Sequence, residues 1–377
     1  MNFSDLGLSP ILVRAVQEAN YETPYPIQIE AIPAILQKRD LLGLAQTGSG
    51  KTASYILPIL EELQKKEVNK SRSVPVLVIV PTRELAAQVE EVVRLFSKHL
   101  PRKVKSAAVF GGVSINPQMM KLNGTDILVA TPGRLLDLIS KNAISISELT
   151  TLVLDEADKV LSLGFKMEVD EILNRLPKKR QNILFSATMD EAVGGLIGKL
   201  LKNPVKIEIQ TEEVTPDLIA QTAYLVDPER KGPLLRHLIQ EGNWQQVLVF
   251  VSSKRTADNL TGKLNKHGIQ TMALHGDKSQ GARTEALKQF KAGKLRVLVA
   301  TDLAARGIDI EALPYVVNYE LPRSPKDYIH RIGRTGRAGV EGEAISLITE
   351  EDSHHWKVIQ KKMKRWVELV DTDNLDF

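Results

Sequence analysis

Short apolar runs rich in β-branched residues recur along the chain, and each leads into a loop and then into a stretch with helical spacing. Most of these runs are continuously apolar rather than alternating, which is typical of strands buried on both faces of a parallel sheet. The stretch 52–63 places its apolar residues on one stripe of a helix. Alternating strands and helices predict an α/β fold with doubly wound parallel sheets. The runs are 76–80, 127–130, 152–154, 183–185, 247–251, 297–300, 316–319 and 344–348.

The alternation is interrupted once, between about residues 203 and 217, where Pro, Lys, Glu and Thr replace the apolar runs. Beyond that stretch the strand and helix pattern restarts. A chain of 377 residues also exceeds what one hydrophobic core usually supports. The sequence therefore predicts two α/β lobes, residues 1–208 and 218–377, joined by a linker at 209–217.

Composition places the chain among globular proteins and excludes several other classes. The hydrophobic fraction of 43% and the charged fraction of 25% exclude a mostly disordered or fibrous chain. There is no run of eighteen apolar residues and no signal-peptide pattern, so we expect no membrane partner and a cytoplasmic location. The absence of Cys excludes disulfides, a thiol nucleophile and a thiolate metal site.

Charge is balanced overall but unevenly spread. The 50 Lys and Arg residues against 46 Asp and Glu give a formal net charge of +4, which alone does not indicate a nucleic-acid partner. Residues 251–300, however, hold ten basic side chains and three acidic ones. A solvated face and a nucleic-acid contact remain equally good interpretations of that excess.

Residues 45–52, with the sequence AQTGSGKT, have the placement of a phosphate-binding loop between a strand-like run and a helix. Gly48 and Gly50 allow backbone N–H groups to turn toward phosphate oxygens, and the following helix N-terminus adds positive potential. Lys51 can reach the β- and γ-phosphates, and the Thr52 hydroxyl can bind Mg²⁺. The strict pattern expects Gly where this chain has Ala45, but the remaining glycines supply the curvature.

An acidic tetrapeptide, residues 155–158 with the sequence DEAD, follows the buried run 152–154. A carboxylate at a strand end beside a phosphate loop is the kind that holds Mg²⁺, which predicts that role for Asp155. The adjacent Glu156 can then orient and deprotonate the attacking water. A solvated acidic turn is the alternative.

Three arginines, Arg331, Arg334 and Arg337, recur at intervals of three residues in the second lobe. Guanidinium forks match phosphate geometry, and an arginine finger stabilises the charge of a phosphoryl-transfer transition state. A finger supplied by the other lobe would make hydrolysis depend on lobe closure. An RNA phosphate patch and a surface ion-pair network are the alternatives.

Taken together and in order, these segments resemble the DEAD-box family of RNA helicases over nearly the whole chain. The segment 275–283 is similar to the bacterial RhlE-like group of that family. The resemblance implies two tandem RecA-like lobes with a cleft between them. The chain departs from the family pattern at Asn20, where Gly is usual, and at Tyr25, where Thr is usual. The matching segments are 21–28, 45–52, 81–86, 111–112, 131–134, 155–158, 186–188, 249–254, 280–283, 300–309 and 330–339.

The resemblance implies an ATP site and a catalytic set. Phe3 would stack on adenine, with a place in the core of the first helix as the alternative, and Gln28 would hydrogen-bond the adenine edge. Thr52 and Asp155 would hold Mg²⁺ largely through water. The implied catalytic residues are Lys51, Asp155, Glu156, Arg334 and Arg337. The implied nucleotide-binding residues are Phe3, Gln28, Gln46, Thr47, Gly48, Ser49, Gly50, Lys51, Thr52, Gly307 and Asp309.

The resemblance also implies an RNA site made of loops that follow strands. Loops at the carboxyl ends of parallel strands share one edge of the sheet. Aromatic residues make up only 5% of the chain, so we expect sequence-independent contacts to the RNA backbone rather than extensive base stacking. For Arg83 and Arg134, ion pairs with nearby acids are the alternative. The implied RNA-binding residues are Pro81, Thr82, Arg83, Gly111, Gly112, Thr131, Arg134, Ser252, Arg283 and Thr301, and Ser186, Thr188 and His330 would couple hydrolysis to unwinding.

These observations predict an RNA-dependent ATPase that unwinds short RNA duplexes, or remodels RNA–protein complexes, when ATP closes its two lobes. Because the net charge is low, we expect weak RNA binding without ATP. A DNA-directed motor of the same superfamily and an ATP-gated RNA clamp with little unwinding remain as alternatives, with a small-molecule kinase further behind. The sequence does not identify the RNA, so we expect targeting to come from a protein partner or from the surfaces of the lobes.

Overall fold

The computed structural model describes residues 1–46, 48–209, 219–305, 313–336 and 342–372. The chain divides into two compact units, Met1–Thr211 and Glu212–Phe377. Most of the predicted linker, from residue 210 onward, lies outside the described residues. The helices of the described part include none long and apolar enough to span a bilayer.

The first unit is built on a parallel sheet of seven strands, in the order β3-β4-β2-β5-β6-β1-β7. Its central strands are buried along their whole length, as the continuously apolar runs predict. The strands are β1 (Leu41–Leu44), β2 (Val76–Ile79), β3 (Ser106–Val109), β4 (Ile127–Ala130), β5 (Thr151–Leu154), β6 (Gln181–Ser186) and β7 (Val205–Glu208).

Helices cover both faces of this sheet, and the side chains of β2 show why. Val76 and Val78 belong to one core cluster, whereas Leu77 and Ile79 belong to the other. Successive strand residues point to opposite faces, so a strand with both faces buried is apolar at every position. After a short 3₁₀ turn at Phe3–Leu6, the helices are α1 (Pro10–Glu18), α2 (Pro26–Leu36), α3 (Lys51–Gln64), α4 (Arg83–Ser97), α5 (Asn116–Met119), α6 (Pro132–Ser140), α7 (Ala157–Ser162), α8 (Lys166–Arg175) and α9 (Glu191–Leu200).

The second unit repeats this plan with a parallel sheet in the order β10-β11-β9-β12-β13-β8-β14. Its strands are β8 (Ile219–Leu225), β9 (Val247–Val251), β10 (Thr271–Leu274), β11 (Val297–Thr301), β12 (Tyr315–Asn318), β13 (Gly342–Ile348) and β14 (Leu369–Asp371). Its helices are α10 (Lys231–Glu241), α11 (Lys254–Lys266), α12 (Gln280–Lys291), α13 (Asp302–Ala305), α14 (Pro325–Ile332) and α15 (Ser353–Met363).

The two sheets have the same topology. When the strands of each unit are counted from one, both orders become 3-4-2-5-6-1-7. The predicted fold class, two tandem doubly wound parallel-sheet lobes, is confirmed. Because all strands of a sheet run in the same direction, the loops that follow them meet at one edge, which is where open α/β sheets bind ligands.

Candidate functional site

The phosphate loop lies between β1 and α3, as predicted. Gly48 and Gly50 have φ angles of 86° and 84°, in the left-handed region that favours glycine. Lys51 opens α3, is buried, and its Nζ donates a hydrogen bond of 2.9 Å to the Ala45 carbonyl across the loop. Inside the loop, the Ser49 hydroxyl donates to the Gln46 carbonyl at 2.8 Å. Thr47 lies outside the described residues.

Gln28 is fully buried at the start of α2 and joins that helix to the phosphate loop. Its Nε2 donates to the Gly50 carbonyl at 3.1 Å, and its Oε1 accepts from the Tyr25 N–H at 2.9 Å. A Cβ added to Gly50 would lie 2.6 Å from Gln28 Nε2 and 2.9 Å from Tyr25 Cδ2. The structure thus brings Gln28 against the loop, with both ends of its amide engaged inside the chain.

The structure describes both residues that depart from the family pattern, Asn20 and Tyr25. Asn20 has a φ of 61°, which explains why Gly is usual there, and Asn is among the residues that adopt this conformation most readily. Tyr25 precedes the first residue of α2 and is 50% exposed. Phe3, by contrast, is only 4% exposed and belongs to the hydrophobic core of the first unit, which favours the core interpretation over adenine stacking.

Asp155 directly follows β5 and is buried beside the phosphate loop helix. Its Oδ2 accepts a hydrogen bond of 2.9 Å from the Tyr55 hydroxyl on α3, and its Oδ1 accepts from the Glu156 N–H at 2.9 Å. Burial raises the pKa of Asp155; the charge of Lys51 opposes that rise and the charge of Glu156 adds to it. Tyr55 was missed at the sequence level, because a tyrosine on an apolar helix stripe looks like any other core residue.

Glu156 has a φ of 50°, a left-handed conformation that costs a residue with a side chain about 1 kcal/mol. Its side chain is buried, and Oε1 accepts a hydrogen bond of 2.7 Å from Lys159 Nζ. Its Oε2 is also buried and has no hydrogen-bond partner among the described residues. Non-glycine residues in this conformation cluster at functional sites, and a carboxylate oxygen left open is what a general base needs.

The end of the acidic tetrapeptide contacts the segment 186–188. Asp158 Oδ2 accepts from the Thr188 hydroxyl, and Oδ1 accepts from the Ala187 N–H, both at 3.4 Å. The Ser186 hydroxyl in turn donates to the Thr188 carbonyl at 2.7 Å. Thr188 therefore contacts Asp158 directly and Ser186 contacts Thr188, although the sequence alone suggested no separate role for Asp158.

Two of the predicted RNA segments of the first unit lie side by side. Arg83 begins α4, and its guanidinium is so close to Gly112 that a Cβ there would be 2.8 Å from Nη1. Gly112 has a φ of 78°, so glycine is required there for conformation as well as for space. Of their neighbours, Pro81 and Thr82 are buried and Gly111 is exposed; Thr82 caps α4 by accepting from the Leu85 N–H at 3.2 Å.

Arg134 lies on α6, which follows β4 and begins just after Thr131. Its Nη2 donates to the Val113 carbonyl at 2.7 Å, while Nε is 3.6 Å from Asp137. Its buried Nε and Nη1 have no hydrogen-bond partner in the described part of the chain. The structure therefore leaves guanidinium donors open at this position, and the ion pair that was the alternative is long.

The predicted residues of the second unit also follow strands. Ser252 follows β9, where its N–H donates to Glu320 Oε2 at 2.6 Å. Thr301 ends β11, and Arg283 is buried in the first turn of α12. His330 is exposed on α14. Gly307, Asp309 and Arg337 lie outside the described residues.

Arg331 and Arg334 have different environments, although both belong to the arginine-rich segment. Arg331 is 2% exposed and donates to both carboxylate oxygens of Asp302, at 2.5 and 2.7 Å. Arg334 is half-buried and donates to the Ala305 carbonyl at 3.5 Å. Arg331 is therefore engaged inside the second unit, and the assignment of Arg334 and Arg337 as fingers stays a prediction.

Oxygen ligands suited to a hard divalent cation lie next to the phosphate loop. Asp155 and Thr52 supply a carboxylate and a hydroxyl, and each carboxylate oxygen of Asp155 keeps a lone pair beyond the hydrogen bond it accepts. The described residues include no cluster of three or more metal-ligating side chains. Asp155 and Thr52 supply two oxygen ligands, which fits an ion that keeps most of its waters.

The fold and the loop define a P-loop nucleotide-binding protein with two similar α/β units. Two family models match the chain: the DEAD/DEAH box helicase model at residues 25–194 and the helicase conserved C-terminal domain at residues 230–339. The chain belongs to the DEAD-box ATP-dependent RNA helicase family. The assignment to the RhlE-like group stays a prediction.

Similar proteins align with almost the whole of this chain. The chain is 39% identical to the DEAD-box ATP-dependent RNA helicase CshA of Bacillus cereus, covering 99% of this chain and 70% of that protein. It is 39% identical to RhpA of Helicobacter pylori, covering 100% and 75%. Among solved structures, S. cerevisiae Dbp5 bound to RNA and ADP BeF3 is similar with a TM-score of 0.84 and 33% identity, covering 99% of this chain and 96% of that one.

Proposed function

We propose that this protein is an RNA-dependent ATPase that unwinds short RNA duplexes locally, or remodels RNA–protein complexes, by ATP-driven closure of its two lobes. The family membership supports the activity, and the open Oε2 of the buried Glu156 beside the phosphate loop is the observation that carries it. The relatives are named ATP-dependent RNA helicases, and one similar structure is bound to RNA.

Residues of the first unit have distinct roles in phosphate binding, proton transfer and positioning. Backbone N–H groups of the loop at Gly48–Gly50 bind the phosphates, and Lys51 leaves the Ala45 carbonyl to contact the β- and γ-phosphates. Glu156 takes the proton of the attacking water through Oε2, while Lys159 holds its other oxygen. Tyr55 keeps Asp155 in place.

Mg²⁺ would be held by Thr52 and Asp155, largely through water. When bound, this ion neutralises charge on the β- and γ-phosphates. Asp155 lies at the end of β5 and Thr52 in the first turn of α3. The ion and the loop would therefore contact the same nucleotide.

The second unit contributes positive charge for the transition state. Arg334 and Arg337 would be the fingers, with Gly307 and Asp309 at the nucleotide and His330 in coupling. Arg334 suits this role better than Arg331, because Arg331 is already committed to Asp302. Closure of the lobes would bring these groups to the nucleotide, which makes hydrolysis conditional on the closed state.

RNA would be gripped through its backbone by the loops that follow the strands. Arg134 has buried N–H groups with no partner among the described residues, and Arg83 lies beside the turn at Gly112. Such donors suit phosphate and sugar oxygens, and contacts to the 2′-hydroxyl distinguish RNA from DNA. A protein partner for targeting and a cytoplasmic location also stay predictions.

The test is the steady-state ATPase rate with and without single-stranded RNA, for the wild type, Glu156→Gln and the control Glu148→Gln. Glu148 is an exposed glutamate in a loop of the same unit. We expect RNA to stimulate the wild type and Glu148→Gln alike, and Glu156→Gln to lose about 10²–10⁴-fold in turnover. Unchanged turnover in Glu156→Gln would refute the assignment of the base.

Single-stranded DNA of the same sequence separates the alternatives. Equal stimulation by DNA would favour a DNA-directed motor, and RNA-stimulated ATPase without strand separation of a ten-base-pair duplex would favour the clamp. Neither alternative is supported by the named relatives.

A further inference from the structure

Trp366 differs from the other two tryptophans of the chain in its exposure. Trp244 and Trp356 are 6% and 1% exposed and pack in the cores of the second unit, whereas Trp366 is 71% exposed. An indole offers more apolar surface than any other side chain, so leaving it in water forgoes a large burial energy. The exposure of Trp366 therefore calls for a functional explanation.

The backbone around Trp366 is fixed, so its exposure does not come from a loose end. The Arg365 N–H donates to the Gln360 carbonyl at 3.3 Å, and the Val367 N–H donates to Gln360 Oε1 at 2.7 Å. On the far side, Arg365 Nη1 donates to the Ile219 carbonyl at 3.2 Å. Val367 packs against the core, and β14 follows two residues later. The second unit thus holds the indole outward on a rigid turn.

The segment that leads to this turn is basic, and acidic residues flank it at Asp352 and Glu368. From residue 353 to residue 367 the chain contains five Lys or Arg residues and no Asp or Glu. Four of these lysines are exposed, and within the described ranges none of them forms an ion pair with an acid. These exposed lysines are Lys357, Lys361, Lys362 and Lys364.

The helix before the turn has no apolar face left for a membrane. Trp356, Ile359 and Met363 of α15 are buried against the second unit. Only Val358, 44% exposed, remains apolar on the outer face among the lysines. An interfacial membrane helix needs a broad exposed apolar face. An exposed indole with exposed lysines close to it in the sequence is instead a combination that can bind a single nucleic-acid strand, with a base on the ring and phosphates on the amines.

We propose that Trp366, together with Lys361, Lys362 and Lys364, forms a second contact site for single-stranded RNA on the second unit. This site, the Trp366 patch, is separate from the loops at the carboxyl ends of the strands, because it lies between α15 and the edge strand β14. It rests on the proposed RNA-dependent function and adds affinity for the strand, not catalytic power. An acidic protein partner is the competing occupant.

The test is fluorescence anisotropy of a labelled 20-nucleotide single-stranded RNA titrated with the full chain. Trp366→Ala is compared with the wild type and with Met167→Ala, which removes another exposed apolar side chain, 78% exposed on α8 of the first unit. We expect Trp366→Ala to weaken binding roughly tenfold, as loss of one stacked base does, Trp366→Phe to weaken it less, and Met167→Ala to leave it unchanged. Equal affinity of Trp366→Ala and Met167→Ala would overturn the proposal.

The lysines are tested through the salt dependence of binding. We expect the double variant Lys361→Gln and Lys362→Gln to reduce the slope of log affinity against log salt by about 1.4, since each phosphate contact on a single strand contributes about 0.7. The control is Lys178→Gln with Lys179→Gln, two exposed lysines just before β6 in the first unit. An equal slope change in both double variants would mean a general charge effect and would contradict a local site.

A further measurement keeps this proposal separate from the proposed function. If RNA stimulates the wild-type ATPase, Trp366→Ala should raise the RNA concentration for half-maximal stimulation about tenfold and leave the rate at saturating RNA unchanged. A wild type that RNA does not stimulate would refute the proposed function itself. Stimulation that is identical in the wild type and Trp366→Ala would refute only the Trp366 patch and would favour a protein as its occupant.

Discussion

The Tyr55 hydroxyl donates a hydrogen bond of 2.9 Å to Asp155 Oδ2, and both side chains are buried. This bond joins the helix that follows the phosphate loop to the end of β5. Burial raises the pKa of both groups, and the Asp155 carboxylate raises that of Tyr55 further, so the phenol stays protonated as a donor. A tyrosine on the apolar stripe of α3 thus fixes the carboxylate that we assign to Mg²⁺.

Tyr55→Phe should therefore destabilise the first unit and slow hydrolysis. The substitution keeps the ring in the core but leaves a buried carboxylate oxygen without its donor, which costs about 1–3 kcal/mol. We expect a fall of that size in the free energy of unfolding followed by far-UV circular dichroism, and roughly tenfold slower RNA-stimulated ATPase because Asp155 loses its orientation.

Tyr319→Phe is the matched control for this substitution. Tyr319 is half-buried in the second unit, and burial, with the charge of Glu320, raises its pKa to about 12. Removing the Tyr319 hydroxyl should change neither the free energy of unfolding nor the RNA-stimulated ATPase rate. If Tyr55→Phe behaved like Tyr319→Phe, the hydrogen bond to Asp155 would carry no orienting role.

Gly50→Ala should damage the nucleotide site through its backbone. The φ of 84° disfavours any side chain, and a Cβ would lie 2.6 Å from Gln28 Nε2, so the amide must leave the Gly50 carbonyl. We expect a loss of about 1–3 kcal/mol of stability and strongly weakened ATP binding, measured by titration with a fluorescent ATP analogue.

Gly198→Ala provides the control of opposite sign. Gly198 lies inside α9, and a Cβ there would meet nothing within 4 Å. Alanine in a helix interior should add about 0.5–1 kcal/mol of stability and leave ATP binding unchanged. Similar effects of the two substitutions would show that the left-handed geometry at Gly50 is not what the loop requires.

The sequence predicted the centre of each sheet better than its edges. All eight apolar runs are strands, but none of them is one of the four edge strands of the described sheets, β3, β7, β10 and β14. Two of these edge strands, β7 and β14, include charged residues that break an apolar run, whereas β3 and β10 are short and each begins with a polar residue. Val205–Glu208, for example, is largely exposed on alternate residues.

The candidate site was predictable where backbone chemistry constrains local sequence, and not where the partner is distant along the chain. Gly48, Gly50 and Lys51 could be placed from their spacing alone. The pairing of Asp155 with Tyr55 spans 100 residues, and no local pattern marks it. The contact of Gln28 with the loop carbonyl across 22 residues was likewise visible only in the structure.

Substitution of Arg331 should lower stability, whereas substitution of Arg334 should lower activity. Arg331 is buried, pairs with Asp302, and lies 4.9 Å from the centre of the Phe250 ring. Arg331→Met leaves Asp302 without its partner and should cost about 3–5 kcal/mol. All three tryptophans lie in the second unit, so urea unfolding followed by tryptophan fluorescence reports this loss directly.

Arg334→Met is expected to do the opposite, lowering turnover of RNA-stimulated ATPase at least a hundredfold with less than about 1 kcal/mol change in stability. A large loss of stability in Arg334→Met, or a stable and inactive Arg331→Met, would exchange the roles that the structure gives them.

Asp258 should contribute to the acid limb of stability in the second unit. Its carboxylate lies 2.8 Å from Lys278 Nζ and 3.1 Å from His275 Nε2, and the hydrogen bond from Lys278, then that from His275, holds its pKa below the usual value of 3.8. A lowered folded pKa gives stability that is present above pH 3.8 and is lost as the pH falls through the folded pKa. Asp258→Asn should therefore flatten the curve of unfolding free energy against pH below about pH 4, measured by tryptophan fluorescence in urea.

Asp277→Asn removes a more exposed carboxylate that pairs with Lys254 at 2.5 Å and should change the curve less, because solvent screens that pair. An acid limb that is unchanged in Asp258→Asn would mean that Lys278 and His275 stabilise this carboxylate no better in the folded chain than water does in the unfolded one.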